Sequence, residues 1–277
     1  MLFPFHDDVP TRRLPLVTIA LIVMNTVVFL WSLGLPELQE EILAYRWGFV
    51  PARVRQLGDP RPLAIRLERE EGAGWFWGPV PRRLVLRADA GLLALSLVTY
   101  MFLHGSWLHL LGNMWYLWIF GDNVEDRLGH AGFLLFYLLG GVLAGLAHWL
   151  SYPTSTMPVI GASGAVATIL GAYAVTWPWA RVRSLVFLFI FVTVVELPAL
   201  LVLGVWFVYQ LLAGLQSGPG VGQGVAWWAH VGGFVAGLVL MPMWSAVLGV
   251  APRPRRVETR SETDVGPPRD PDRGLGW

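Results

Sequence analysis

An oxygen nucleophile and an imidazole are the parts of a serine hydrolase, and this chain carries both inside otherwise apolar runs, where polar groups are costly and point to function. Ser163 stands in Gly161-Ala-Ser163-Gly164, His230 follows Ala229, and His109 and Asn113 lie four residues apart, a spacing that puts both on one helix face. A serine hydroxyl attacks weakly until a neutral imidazole takes its proton, and the same imidazole then protonates a leaving amine. Ser163 is the candidate nucleophile and His230 the candidate base. The oxyanion needs donors, and the Asn113 amide, the His109 N–H and the Ser163 backbone N–H at a helix N-terminus can supply them. Cysteine is absent, so no thiol nucleophile, disulfide or thiolate zinc site exists, and the redox compartment stays open. The H-E-x-x-H pattern of a metalloprotease is also missing, and the reading calls for no cofactor and no metal.

The elements that must position these groups are apolar spans. Of 277 residues, 55% are hydrophobic and only 14% charged, where soluble chains carry about 25% charged residues. Uncharged runs at Leu14–Leu35, Trp107–Phe120, Ala131–Leu150, Gly161–Trp177, Pro198–Gly214 and Val225–Val250 predict six membrane spans, an all-α bundle formed as one body over residues 14–250. The first run is too long for a signal-peptide core and lacks an A-x-A cleavage site. Residues 1–13 form a short N-terminal segment. Residues 36–106 predict a long extracytoplasmic loop with a Gly/Trp/Pro patch at 72–81 and an apolar piece at 91–101 that dips into the interface. Ser184–Val195 is apolar but only 12 residues long, and it is expected to lie in the interface. The tail, 251–277, is rich in Pro, Arg, Asp and Glu and is expected to be disordered.

All 20 basic residues are Arg, against 19 acids, giving net charge +1 and no broad basic surface for nucleic acid. With both termini cytoplasmic, Arg12, Arg13, Arg127, Arg181, Arg183, Arg253, Arg255 and Arg256 fall on the inner side, as the positive-inside rule requires. Spans 2, 4 and 6 then begin on the outer side, so His109, Asn113, Ser163 and His230 share one depth. Small residues Ser163, Ala167 and Gly171 recur at four-residue spacing in span 4, and Ala229, Gly233 and Gly237 do so in span 6. That pattern lets two backbones approach closely and predicts contact between the two spans.

These residues resemble the rhomboid family of intramembrane serine proteases. The resemblance covers about Tyr100 to Leu240 and rests on His109-x-x-x-Asn113, on Gly-Asp-Asn-Val-Glu-Asp-Arg-Leu-Gly at 121–129, on Gly161-x-Ser163-Gly164, and on Ala229-His230-x-x-Gly233-x-x-x-Gly237. It implies a six-helix fold, a Ser163–His230 dyad with no acidic third member, His109 and Asn113 at the oxyanion hole, and cleavage of substrate transmembrane segments near their outer ends. Access for the substrate beside span 5 and a hydrated cavity at the outer ends of spans 2, 4, 5 and 6 are likewise implied. By the same resemblance, His104 supports the first loop, and Glu125 and Arg127 tie the inner end of span 2. Two departures stand out. The position where some members stack a Tyr under the catalytic His is Ala167, so the base must be oriented from elsewhere, and a Trp-Arg pair found in some first loops has no clear counterpart.

Other assignments compete. Ser163 alone would read as a small packing residue, and His109 with Asn113 as an interhelical hydrogen-bond pair. His148 is a rival base, but it flanks Trp149 and Tyr152, the makings of an interface belt. His130 lies at the cytoplasmic depth, away from Ser163, and Glu196 is expected to cap a helix beside Pro198. A catalytically silent rhomboid-fold protein that binds transmembrane clients is the alternative function; a transporter is a weaker one, because the polar groups lie near the outer surface and no inverted repeat is evident. The Arg-only composition points to a GC-rich bacterial genome and hence to the plasma membrane, while acids at positions 7 and 8 argue against a mitochondrial leader.

Overall fold

The computed structural model describes residues 2–67, 83–188, 191–217, 225–247 and 249. The Gly/Trp/Pro patch at 72–81 and the tail 251–277 lie outside the described residues.

Each apolar run forms a helix: α1 (Leu16–Ser32), α4 (Trp107–Leu128), α5 (His130–Ser151), α6 (Ser163–Thr176), α7 (Ala199–Gln216) and α8 (Trp227–Val247). Among them α5, α7 and α8 are individually long and apolar enough to cross a membrane. α1 and α6, with 17 and 14 residues, are shorter apolar helices. α4 passes the same test together with a preceding helix α3 (Ala90–Thr99) and the 3-10 turn after it, bent 84° from it. The chain is a mostly helical, multi-pass membrane bundle.

The helix ends show how sequence meets neighbours. Ser106 precedes α4 and its hydroxyl accepts from the His109 N–H at 3.2 Å, an N-cap that leaves His109 on the first turn. Gly129 ends α4 at φ 71°, a conformation that favours glycine. α1 begins after Pro15, which offers no side-chain cap. Its cap comes from α4, where the Glu125 carboxylate accepts from the N–H groups of Val17 (2.9 Å) and Thr18 (2.7 Å) and from the Thr18 hydroxyl (2.7 Å). His130 Nδ1 meets the same carboxylate at 2.5 Å, while Arg127 donates to the Ser245 hydroxyl of α8 at 3.3 Å. Glu125 and Arg127 both lie in the last turns of α4, and each reaches a different helix.

α6 is the hub, with twelve of its fourteen residues buried. Its closest partner is α8. A Cβ on Gly233 would lie 2.2 Å from the Gly164 carbonyl oxygen, one on Gly237 2.0 Å from that of Thr168, and one on Gly171 2.1 Å from that of Phe234. The two backbones touch at the small-residue stripes, so only glycine fits.

The structure adds to or corrects three expectations. Ser184–Val195 is most of a hairpin, β4 (Arg181–Leu188) and β5 (Phe191–Pro198), joined by β1 (Leu2–Asp7) in a three-stranded antiparallel sheet of order β1-β4-β5. Val is the commonest residue of β4 and β5, with Phe and Thr193 beside it, and such residues prefer a pleated surface to a helix. Glu196 is no helix cap: it stands opposite Arg183 in the register and pairs with it at 3.0 Å and with Arg181 at 3.5 Å, leaving Pro198 at the start of α7. The first loop is also more than a loop. It holds α2 (Glu37–Trp47), a 3-10 turn (Pro51–Leu57), α3, and a hairpin of β2 (Leu63–Arg66) with β3 (Arg83–Leu86) around a small core of Tyr45, Val50, Ala52, Leu63, Ile65 and Leu86. The piece at 91–101 is α3 and its continuation, with Leu93, Ser96, Tyr100 and Met101 buried.

β1 binds the N-terminal segment to the bundle. Trp115 of α4 donates to the Pro4 carbonyl at 2.7 Å and stacks on Phe3, and Asn123 donates to the Val9 carbonyl at 3.0 Å. Asp7 is buried and accepts a short hydrogen bond from the Tyr173 hydroxyl of α6. Burial, with the nearby charges of Asp122 and Asp8, pushes the Asp7 carboxyl up to about 7, against the pull of the Tyr173 bond.

Candidate active site

Ser163 is the first residue of α6 and His230 lies in the first turn of α8, so the glycine contacts between these helices bring the two side chains together. His230 Nε2 sits 2.7 Å from Ser163 Oγ across 67 residues of sequence, within hydrogen-bond distance. Both residues are partly accessible. The second ring nitrogen, Nδ1, lies 2.8 Å from the side-chain oxygen of Gln210 on α7. Two indoles flank the imidazole, Trp206 at 6.0 Å and tilted by 34°, and Trp227 at 6.1 Å edge-on. Ala167, where an aromatic platform was missing, is fully buried in the α6–α8 contact, so the aromatic surroundings of the base come from α7 and α8.

The other two predicted residues occupy the first turns of α4. His109 lies against Gly161, whose φ of +117° favours glycine and whose Cβ would fall 2.4 Å from His109 Nε2. Asn113 is buried, and its Nδ2 is 3.0 Å from His104 Nε2. An amide nitrogen has two protons, so this bond leaves one for another acceptor. His104 Nε2 also receives the Ala162 N–H at 3.4 Å, and the rings of His104 and His109 meet edge to face at 5.1 Å. His104 therefore touches Asn113 and the turn into α6. It also lines a cavity of about 280 Å³ with Ser32, Glu40, Glu41, Gly105 and Ile160.

The backbone before Ser163 is held from two directions. Gly161 N–H donates to the Tyr100 carbonyl at 2.8 Å, and Phe49 and Val159 exchange two hydrogen bonds at 3.0 and 2.8 Å. The first loop is thus stitched to the segment that presents Ser163. Gly164 faces Ala144 of α5, where a Cβ would lie 2.7 Å away. His148, the rival base, is buried on α5 beside Tyr152, ring centres 5.5 Å apart, and the bond from Ser163 goes to His230. His130 stays at the opposite end, on Glu125.

Sequence reasoning missed Gln210, Trp206 and Trp227 as neighbours of the imidazole, and Tyr100, Phe49 and Val159 as anchors of the turn. Gln210 had a signal: it is an amide in an apolar run, the feature that singled out Asn113. The anchors act through backbone carbonyls and amides, which no residue type announces.

Chemically, the arrangement offers a hydroxyl bonded to an imidazole whose other nitrogen is also engaged, next to an amide and a second imidazole. No group of three or more His, Cys, Asp or Glu able to hold a metal occurs among the described residues.

Comparison with known proteins bears on the family. The Rhomboid domain matches residues 93–246. Rhomboid-like protein 11, chloroplastic, of Arabidopsis thaliana is 36% identical over 159 residues, covering 52% of this chain and 50% of that protein. Rhomboid protein 1, mitochondrial, of Saccharomyces cerevisiae is 30% identical over 116 residues, 40% of this chain and 33% of its own length. Presenilin-associated rhomboid-like protein A, mitochondrial, of Danio rerio is 36% identical over 90 residues, 31% of this chain and 23% of its own. The matched part of the chain thus spans half or less of the length of these relatives. The Rhomboid domain covers more than half of this chain and includes all four residues singled out for chemistry, and on that ground the chain belongs to the rhomboid family.

Proposed function

We propose that this chain is an intramembrane serine endopeptidase that hydrolyses peptide bonds in or near the transmembrane segments of membrane proteins. The observation that carries the reading is the 2.7 Å contact between Ser163 Oγ and His230 Nε2, held by helices that touch backbone to backbone. Ser163 gives its proton to Nε2 as Oγ attacks the scissile carbonyl carbon. The oxyanion that forms is met by the free Asn113 N–H, the His109 ring and the Ser163 backbone N–H at the start of α6. His230 then returns the proton to the amine nitrogen as the C–N bond breaks. Water, deprotonated by the same imidazole, hydrolyses the acyl-serine and restores the hydroxyl. In this reading the six apolar helices α1, α4, α5, α6, α7 and α8 span the bilayer with both termini cytoplasmic, in a plasma membrane, and the substrate is itself a membrane-embedded segment.

The test is labelling by a fluorophosphonate in proteoliposomes, with cleavage of a reporter transmembrane segment alongside. Wild type is expected to label and cleave, and Ser163→Ala and His230→Ala to do neither while keeping their thermal midpoint. Activity retained in Ser163→Ala overturns the proposal, and so does a folded wild type that neither labels nor cleaves, which points instead to a silent fold that holds transmembrane clients.

A further inference from the structure

We propose that Gln210 is a positioning residue for the base, its side-chain oxygen accepting the Nδ1–H of His230 and so setting both the tautomer and the plane of the imidazole that faces Ser163. This rests on the Ser163–His230 reading and extends it. A neutral imidazole has one N–H and one lone pair, and the nitrogen facing a nucleophile must hold the lone pair. The proton then sits on Nδ1, where it needs an acceptor. Gln210 Oε1 lies 2.8 Å away. The amide is buried, 6% exposed, in a helix of otherwise mostly apolar residues, where a polar side chain without a task is costly.

The residue type suits the task. A carboxylate at this place would hold the imidazolium and raise the affinity of the base for protons, whereas an amide oxygen orients the ring without adding charge. Trp206 lies one turn before Gln210 on the same face of α7, its ring 6.0 Å from the imidazole. α7 thus offers an acceptor to the edge of the ring and an indole to its side, the work that Ala167 cannot do from α6. The titratable groups that face His230 from other helices are His109 of α4 and His148 of α5; Ser163 of α6 completes the surround.

Two substitutions separate orientation from packing. Gln210→Met keeps the volume and removes the acceptor; Gln210→Glu keeps an acceptor and adds charge. In the full chain in proteoliposomes, the fluorophosphonate labelling rate constant is expected to fall about 10- to 100-fold in Gln210→Met at an unchanged thermal midpoint. Gln210→Glu should stay within about threefold of wild type at its optimum, with the acid limb of its pH–rate profile displaced upward by the added carboxylate. A packing role predicts the reverse order, with Met tolerated and buried Glu damaging. Wild-type rate in Gln210→Met overturns the inference. Should that variant fail to fold, the imidazole nitrogen NMR spectrum of wild type decides, with His230 assigned by its loss in His230→Ala: a proton on Nδ1 supports the inference and a proton on Nε2 refutes it. Loss of labelling in Ser163→Ala and His230→Ala but not in Gln210→Met would sink this inference alone, whereas labelling that survives in Ser163→Ala sinks the underlying reading.

Discussion

Replacing Gly233 by Ala tests the joint between fold and site. The new Cβ would lie 2.2 Å from the Gly164 carbonyl oxygen and 3.2 Å from the Ala167 Cβ, where ordinary contacts begin near 3.4 Å. Backbone on one helix and backbone on the other must therefore separate by about 1 Å, and overpacking of this kind costs about 1–3 kcal/mol. His230 is three residues away on the same face of α8, so a recoil of that size carries Nε2 with it. The Ser163–His230 contact then stretches from 2.7 Å past the limit at which a hydrogen bond holds. Losing the general base removes about 10²- to 10⁴-fold of rate. The assay is cleavage of a reporter transmembrane segment in proteoliposomes together with the thermal midpoint, and Gly204→Ala on α7, where a Cβ meets nothing within 4 Å, is the control. Gly233→Ala should lose both midpoint and cleavage while the control keeps both. Wild-type values in Gly233→Ala would refute the close-contact argument, and a lowered midpoint with unchanged cleavage would refute the link from that contact to the chemistry.

Gly161→Ala is expected to abolish cleavage, because its φ of +117° is unfavourable for alanine and its Cβ would fall 2.4 Å from His109 Nε2; normal turnover would exclude His109 from its assigned place. Glu125→Gln weakens the three hydrogen bonds that cap α1 and should lower stability by about 1–3 kcal/mol, read as a lower thermal midpoint. The Asp7 carboxyl, pushed up to about 7 by burial, binds its proton more tightly folded than unfolded. Its protonated form therefore supports the fold fully below about pH 4, and that support is lost as pH rises through about 7. The thermal midpoint of wild type should fall between about pH 4 and pH 7 and level off above, and Asp7→Asn should flatten that change; an identical slope in both would place the pH dependence elsewhere.

The order and type of the site residues were legible because each obeys a local rule. A histidine, an asparagine and a serine inside apolar runs violate the preference of a span for apolar side chains, and the four-residue spacing of 109 and 113 follows from the helix repeat. Gly233 and Gly237 were legible as a contact stripe for the same reason. The hairpin from Arg181 to Pro198 was not, because a twelve-residue apolar run of β-branched and aromatic residues fits an interfacial helix, a short span or a strand until a partner appears. Its partner is the N-terminal strand, some 180 residues earlier in the chain. The order inside the first loop escaped for a similar reason, since its small core forms only when Tyr45, Val50, Ile65 and Leu86 meet.

By itself the sequence determined which segments are apolar enough to leave water, which polar groups travel with them, and where small residues let two backbones meet, because burial preference and helical period are properties of neighbours along the chain. Tertiary structure alone decided the hydrogen-bond partners: Ser163 with His230, His230 with Gln210, Asn113 with His104, Glu125 with the start of α1. A hydrogen bond tolerates a few tenths of an ångström. That margin is set by how closely distant helices pack, and close packing is decided by side-chain volumes that come together only when the chain has folded.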